Sequence, residues 1–103
     1  MEVPVYYLGK IHKNAIVSRG DYENLIKHNW VDSSGYPRTS IDGFKIYMHQ
    51  FIKGEPPDGF IIDHIDIDKY NNTRENLRFA TIAQNILRQM NSGTPKNSLF
   101  MSI

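Results

Sequence analysis

The chain has 103 residues, of which 40% are hydrophobic and 12% aromatic, so it can bury one modest core but hardly two independent ones. It contains no cysteine, which excludes disulfide bonds and a thiolate-bound structural zinc. No apolar stretch approaches the roughly 18 to 20 residues of a membrane span, and the N-terminus lacks the pattern of a secretion signal. We therefore expect one compact intracellular, cytoplasmic protein with no membrane partner.

The formal net charge is only +1, which by itself does not indicate binding to nucleic acid. The distribution of charge is more informative. Acidic residues cluster between Glu55 and Glu75, whereas Arg78, Arg88 and Lys96 follow with no further carboxylate. An acidic site beside a basic flank is typical of a metal-dependent enzyme that acts on a polyanion. A solvated surface with uneven charge fits this composition equally well.

The chain opens with a predicted β-hairpin. Residues 3–8 and 15–18 are short β-branched or aromatic runs, which favour strands. They are separated by Gly9, Lys13 and Asn14, residue types that favour a turn.

A short helix and a meander are predicted next. Asp21 stands where a helix N-cap is expected, and apolar residues recur at helical spacing, so we predict a helix over 22–28. Trp30 is expected to anchor the core. Ser-Ser-Gly and Asp-Gly turn signals flank residues 36–41 and 44–48, which predicts a small antiparallel meander.

The second half begins after a break at Pro-Pro-Asp-Gly, residues 56–59, which follows a possible helical turn at 49–52. Beyond the break, the pattern predicts a strand at 60–62, a polar loop, a strand at 77–80 and a helix at 81–90 that Thr81 caps. We therefore predict an α+β fold. Its parts are a β-rich N-terminal part at 1–54, a β-loop-β-α unit at 55–91 and a tail at 92–103, the first two packed as one compact unit.

The polar residues of the second half form a spaced pattern: D-H-I-D at 63–66, N-N at 71–72, E-N-L-R at 75–78 and a helix asparagine at 85. This order resembles the HNH homing endonucleases of phage, intron and viral origin, in the subgroup whose third motif residue is Asn. The resemblance covers roughly residues 44–90. It implies a ββα-metal (His-Me finger) nuclease core, DNA as the partner, and action in the host cell if the protein is of phage or viral origin.

Four residues carry the chemistry that the resemblance implies. His64 is the expected general base, because an imidazole with an ordinary pKa of about 6.5 can accept a proton from water at neutral pH. Asp63 and Asn85 would hold one divalent cation, Mg²⁺ or Mn²⁺, which prefers oxygen ligands and keeps several waters. Asn76 would tie the loop that orients the histidine, since an amide both donates and accepts hydrogen bonds. Each of three residues also fits an ordinary structural role: His64 as an exposed histidine, Asn76 as a turn residue and Asn85 as a polar helix residue.

Other positions have lesser expected roles. Arg78, Arg88 and Lys69 are candidate DNA contacts, although each fits an ordinary solvated charge as well. His49 resembles a packing position of the family. Ile67 stands where the family commonly has glycine, and because a β-branched residue resists positive φ, we expect the loop to take a somewhat different path.

Two alternatives remain open at this point. One is a non-catalytic DNA-binding module with a vestigial nuclease core, in which the strands of residues 36–48 grip DNA. The other is a small structural or interaction protein with no nucleic-acid role. The sequence leaves open whether the protein is a monomer or a homodimer, and whether it cuts one strand or two.

Overall fold

The structure is a computed structural model that describes residues 1–91, with side chains described up to residue 87. The predicted tail at 92–103 lies outside the described residues. Eight strands and three α-helices occur in the described part, in this order: β1 (Glu2–Tyr7), β2 (Lys10–Val17), α1 (Arg19–Leu25), β3 (Trp30–Ser33), β4 (Tyr36–Ile41), β5 (Phe44–Tyr47), α2 (Met48–Lys53), β6 (Phe60–His64), β7 (Asn71–Asn72), β8 (Leu77–Thr81) and α3 (Ile82–Asn91). A short 3₁₀ turn, Arg74–Asn76, precedes β8. The predicted α+β class is confirmed.

The strands form two sheets. Six of them lie in the order β5-β4-β3-β1-β2-β7, and β6 pairs with β8 in a separate antiparallel pair. Most neighbours in the larger sheet are antiparallel, but β1 pairs with β3 and β2 pairs with β7 in parallel. Because β7 follows β6 in the chain, the second half of the sequence adds the last strand to the sheet built by the first half.

All three hairpins of the larger sheet turn through two residues with positive φ. Asp42 and Gly43 have φ of 52° and 82°, and Leu8 and Gly9 have 51° and 79°. Such paired left-handed residues match the twist of the flanking strands. The predicted meander is confirmed. The turn between β1 and β2 is tighter than predicted. Lys13 is part of β2, because its backbone pairs with Val5 of β1 despite the polar run around it.

The first helix differs from the prediction. It begins at Arg19 after Ser18 and ends at Leu25, so Asp21 lies in its first turn and is not its N-cap. Asp21 instead accepts two hydrogen bonds from the Arg74 guanidinium, at 2.9 and 2.8 Å. An acid in the first turn still suits the helix dipole, which explains why the sequence pattern suggested a helix start there.

The core lies between the larger sheet and the helices, and Trp30 is confirmed as part of it. Its side chain is 1% exposed, and its indole nitrogen donates to the Leu25 carbonyl oxygen at 2.8 Å. The other buried apolar side chains that surround it come from both halves of the chain: Val3, Val5, Ala15, Val17, Leu25, Met48, Ile52, Tyr70 and Leu77.

The C-terminal helix begins as predicted. The Gln84 backbone donates to the Thr81 hydroxyl at 3.2 Å, and the Thr81 backbone donates to the Gln84 side-chain oxygen at 2.9 Å. This reciprocal pair satisfies two of the backbone donors that a helix start leaves free. Over the described residues, no helix has the length and apolar character needed to cross a membrane.

Candidate active site

A cleft of about 420 Å³ opens between the β6–β8 pair and the β4–β5 hairpin. Asp63 and His64, the last two residues of β6, line it together with Asn85 from the second turn of α3. Neighbouring residues of a strand normally point to opposite faces. Both enter this cleft at the point where the strand ends, so the structure brings three of the predicted site residues together.

Asp63 is a buried carboxylate that accepts hydrogen bonds from Arg78 and Asn85. It is 2% exposed, and its Oδ2 accepts a hydrogen bond from Nε of Arg78 at 3.1 Å. The two residues are direct cross-strand neighbours in the β6–β8 pair. Its Oδ1 accepts from the Asn85 amide nitrogen at 2.7 Å. A buried carboxylate is costly unless it is paired and hydrogen-bonded, and these contacts supply that compensation.

His64 is held by a buried asparagine. Its Nε2 lies 2.7 Å from the side-chain oxygen of Asn72, which is 0% exposed. The Asn72 amide nitrogen donates to the Lys69 carbonyl oxygen at 3.2 Å, which fixes the orientation of this amide. The oxygen that faces His64 can only accept, so Nε2 carries the proton and Nδ1 is left as the basic nitrogen. No described residue hydrogen-bonds this Nδ1.

Asn76 ties together the loop between β6 and β7, and it does not line the cleft. Its oxygen accepts from the Asp66 backbone at 3.0 Å, while its nitrogen donates to the Asp66 carboxylate at 2.8 Å and to the Asn71 carbonyl at 2.7 Å. The Asn76 carbonyl also accepts from the backbone of Ile65, the residue after His64, at 2.9 Å. The amide thus fastens both ends of the loop that follows the histidine.

Asp66 is the anionic centre of this loop. Burial alone would raise its pKa, but hydrogen bonds from Asn71, from the Asp68 backbone and from Asn76, together with the nearby His64, outweigh burial and lower the pKa. Asp66 therefore remains a carboxylate at neutral pH and acts as an acceptor for the loop.

Ile67 has a φ of 69° in the same loop. The expectation that its β-branched side chain would avoid positive φ is wrong. Two hydrogen bonds of the loop hold this conformation: the Ile67 backbone donates to the His64 carbonyl oxygen at 2.9 Å, and the Asp68 backbone donates to the Asp66 carboxylate at 2.9 Å. The loop therefore holds a conformation that is unfavourable for isoleucine.

Aromatic rings and His49 form the wall opposite Asp63. The rings of Tyr47 and His49 stack at 5.6 Å and 18°, and Tyr36 lies 5.5 Å from His49. His49 in turn contacts His64 edge-on, with ring centroids 5.3 Å apart. Burial and the neighbouring His64 lower the pKa of His49 to about 4, and its buried Nδ1 has no described hydrogen-bond partner. His49 is therefore neutral at pH 7 and adds no charge to the site.

The three candidate DNA contacts lie in different situations. Arg78 is bound to Asp63. Lys69 lines the cleft, and its Nζ lies 4.6 Å above the Tyr36 ring. Arg88 is in α3, but its side chain lies outside the described part of the structure.

The donor set suits a hard divalent cation. Asp63 supplies carboxylate oxygens and Asn85 an amide group beside them, although Asn85 presents its nitrogen to Asp63 and would bind a cation through its oxygen. Within the described residues, no group of three or more His, Cys, Asp or Glu side chains could hold a metal ion. A cation at this site would thus have one carboxylate ligand and keep most of its waters, as Mg²⁺ commonly does.

The sequence analysis assigned no role to Asn72 and did not place Tyr36 and Tyr47 at the site. Both tyrosines lay in correctly predicted strands. They are the first residue of β4 and the last of β5, which carried a usable signal, because these two positions are diagonal neighbours at the open end of the hairpin. Asn72 gave no comparable local signal.

Comparison with known proteins identifies a family for part of the chain. Residues 47–87 match the family model described as HNH endonuclease, so this segment belongs to an HNH endonuclease family. A curated relative, an uncharacterized HNH endonuclease of Acanthamoeba polyphaga mimivirus, is 39% identical over 88 residues. That match covers 80% of this chain and 46% of the relative, so the chain spans about half the length of the relative. No solved structure matches the chain significantly.

Proposed function

We propose that this protein is a metal-dependent DNA endonuclease whose β6, β8 and α3 act as a ββα-metal nuclease core. One observation carries the proposal. Asp63, His64 and Asn85 meet in a single cleft, inside the segment that matches the HNH endonuclease family. A buried carboxylate, an imidazole and an amide around a space of about 420 Å³ suit a hydrated cation and a phosphate group.

His64 is the proposed general base. With Nε2 committed to Asn72, its Nδ1 can take a proton from a water molecule, which then attacks the phosphorus atom. Asn72 favours the protonated ring that results, because its oxygen continues to accept from Nε2. Asn76 acts one step further away, since it fixes the loop that follows the histidine.

Asp63 and Asn85 are the proposed ligands of one Mg²⁺ or Mn²⁺ ion. When bound, such an ion stabilises negative charge on the phosphate and on the leaving 3′ oxygen. Cleavage would then leave a 5′ phosphate and a 3′ hydroxyl. Arg78 lies beside Asp63 and Lys69 lies at the cleft, so both are placed to contact phosphates, and we keep Arg88 as a further candidate.

Partner and assembly follow from the same proposal. The substrate is DNA, as for the HNH family, and the expected place of action is the interior of a cell. A cleft with one general base hydrolyses one strand at a time. A monomer would therefore nick DNA, whereas cutting both strands requires a homodimer or two successive nicks.

A plasmid-nicking assay with Mg²⁺ or Mn²⁺ tests the proposal. We expect wild-type protein to nick supercoiled DNA, EDTA to stop the reaction, and His64→Ala to lower the rate by about 100-fold or more. His12→Ala is the matched control, because His12 is an exposed histidine on β2 that lies outside the cleft. Equal nicking by wild type and His64→Ala would refute the role of His64.

Metal binding can be measured separately by titration of Mn²⁺ with electron paramagnetic resonance. Asp63→Asn should weaken Mn²⁺ binding, whereas His12→Ala should leave it unchanged. If wild-type protein binds DNA in EDTA but never nicks it with either metal, the protein is a non-catalytic DNA-binding module.

A further inference from the structure

The wall of the cleft continues as an open, basic face of the larger sheet. Tyr36 and Arg38 are two residues apart on β4, so their side chains point to the same side. Arg38 pairs with Tyr47, and Ser40 pairs with Lys45, across the β4–β5 hairpin. Directly paired residues also share a side. These five residues therefore define one face, which we call the β4–β5 face.

The opposite side of β4 is buried at its middle positions. Thr39 is 5% exposed, and its hydroxyl donates to the Asn29 carbonyl oxygen at 2.6 Å. Pro37, two residues before it, is among the fully buried side chains. Since the intervening residues alternate with these, the β4–β5 face is turned away from the core.

Positive charge lies at both ends of this face. At the cleft end, Lys69 sits above the Tyr36 ring. At the other end, a second cavity of about 410 Å³ is lined by Lys27 and Arg38, and no carboxylate is among its described lining residues. Lys45 stands across from Ser40 at the same end. The strand positions of the face carry two cations and no carboxylate.

The length of the face suits a nucleic-acid strand. Ser40 is the fourth residue after Tyr36, which corresponds to about 13 Å along an extended strand. One DNA strand rises by about 3.4 Å per nucleotide along the duplex axis, so a face aligned with that axis extends over roughly four nucleotides. Arginine binds phosphate oxygens through a fork of N–H groups, and lysine binds them as a point charge.

We propose that the β4–β5 face binds the DNA backbone for about four nucleotides to one side of the scissile phosphate. Arg38, Lys45 and Lys27 contact its phosphates, and Tyr36 marks the point where the strand enters the cleft. The proposal rests on the proposed nuclease function, which places the scissile phosphate beside Asp63. It adds a binding surface outside the matched family segment, because all three of these cations lie before residue 47.

The test measures DNA binding without cleavage. A fluorescein-labelled duplex is titrated in EDTA, and Kd is determined by anisotropy at several salt concentrations. Arg38→Gln and Lys45→Gln should each weaken binding roughly fivefold and reduce the slope of log Kd against log salt by about 0.9. Lys10→Gln is the control, since it removes the same charge from the exposed start of β2. Circular dichroism checks that each variant is folded.

The outcomes separate the two proposals. If Arg38→Gln and Lys45→Gln bind as wild type does, or if Lys10→Gln lowers affinity and slope as much, the β4–β5 face does not bind DNA. That result leaves the His64 nicking test unaffected. If both face variants lose affinity and slope while wild-type protein never nicks DNA, the face stands and the nuclease proposal falls. If the two face variants lose affinity only for duplexes that extend by four nucleotides on one side, the β4–β5 face binds the DNA strand on that side.

Discussion

Replacement of Asn72 by aspartate tests how the buried amide acts on His64. The oxygen of Asn72 lies 2.7 Å from Nε2, so the variant places a full negative charge about 4 Å from the centre of the protonated ring. At an effective dielectric constant of about 20, such a pair is worth roughly 4 kcal/mol. Desolvation of a carboxylate at a position that is 0% exposed opposes this gain. We expect a net stabilisation of the protonated ring by about 1.4 to 2.8 kcal/mol, or about 1 to 2 pH units.

Two measurements follow this shift. Heteronuclear NMR should show the His64 ring of Asn72→Asp titrating about 1 to 2 pH units higher than in wild type. The acidic limb of the pH dependence of nicking should move to higher pH by the same amount, so that the variant recovers wild-type activity only at higher pH. Asn24→Asp is the control, because it adds the same charge at an exposed position of α1.

The results distinguish the hydrogen bond from the catalytic role. An unchanged NMR titration in a folded Asn72→Asp protein refutes the proposed contact with His64. A shifted NMR titration with an unmoved rate profile keeps the contact but refutes His64 as the general base.

Three further predictions concern stability. The pKa of His49 in the folded protein is about 4, below its ordinary value of 6.5. Between these two pH values the unfolded chain binds more protons than the folded protein. The free energy of unfolding therefore falls as the pH drops from 7 towards 4. After allowance for partial exposure, we expect the free energy of unfolding to be about 2 kcal/mol lower at pH 4.5 than at pH 7, as measured by urea unfolding. His49→Phe should remove this pH-dependent difference. Ile67→Gly should raise the free energy of unfolding by about 0.5 to 1 kcal/mol, because relief of the positive φ outweighs the added freedom of glycine in the unfolded chain. A free energy of unfolding below that of wild type would contradict the strain assigned to Ile67. Leu8→Asn should also stabilise, by about 0.5 kcal/mol in thermal unfolding, since Leu8 is 85% exposed with positive φ; no gain would argue against a type I′ turn.

Local signals in the sequence predicted much of the fold. Asp42 and Gly43 fixed a hairpin because few residue pairs adopt two successive left-handed conformations, and the structure has that turn. The helix start at Thr81 was predictable because the capping threonine and its partner Gln84 are only three residues apart. In both cases the atoms that decide the structure are close neighbours in the chain.

The parts that could not be predicted depend on contacts between distant residues. The mostly polar residues 10–14 belong to a strand because β1 pairs with them, and Asp21 binds Arg74, more than fifty residues later in the chain. Ile67 takes positive φ because hydrogen bonds of its loop outweigh its own preference. A propensity of a few tenths to one kcal/mol per residue cannot compete with several such bonds.

Asn72 connects the fold to the proposed chemistry. Its backbone belongs to β7 and pairs with Val17 of β2, whereas its side chain holds His64 of β6. The orientation of the proposed base therefore depends on a strand pairing with the N-terminal sheet. The opposite wall of the cleft, Tyr36 and Tyr47, also comes from that sheet. Residues 1–54 and 55–91 thus build one site between them, so a break in the β2–β7 pairing should disturb His64 even though no residue of the cleft is changed.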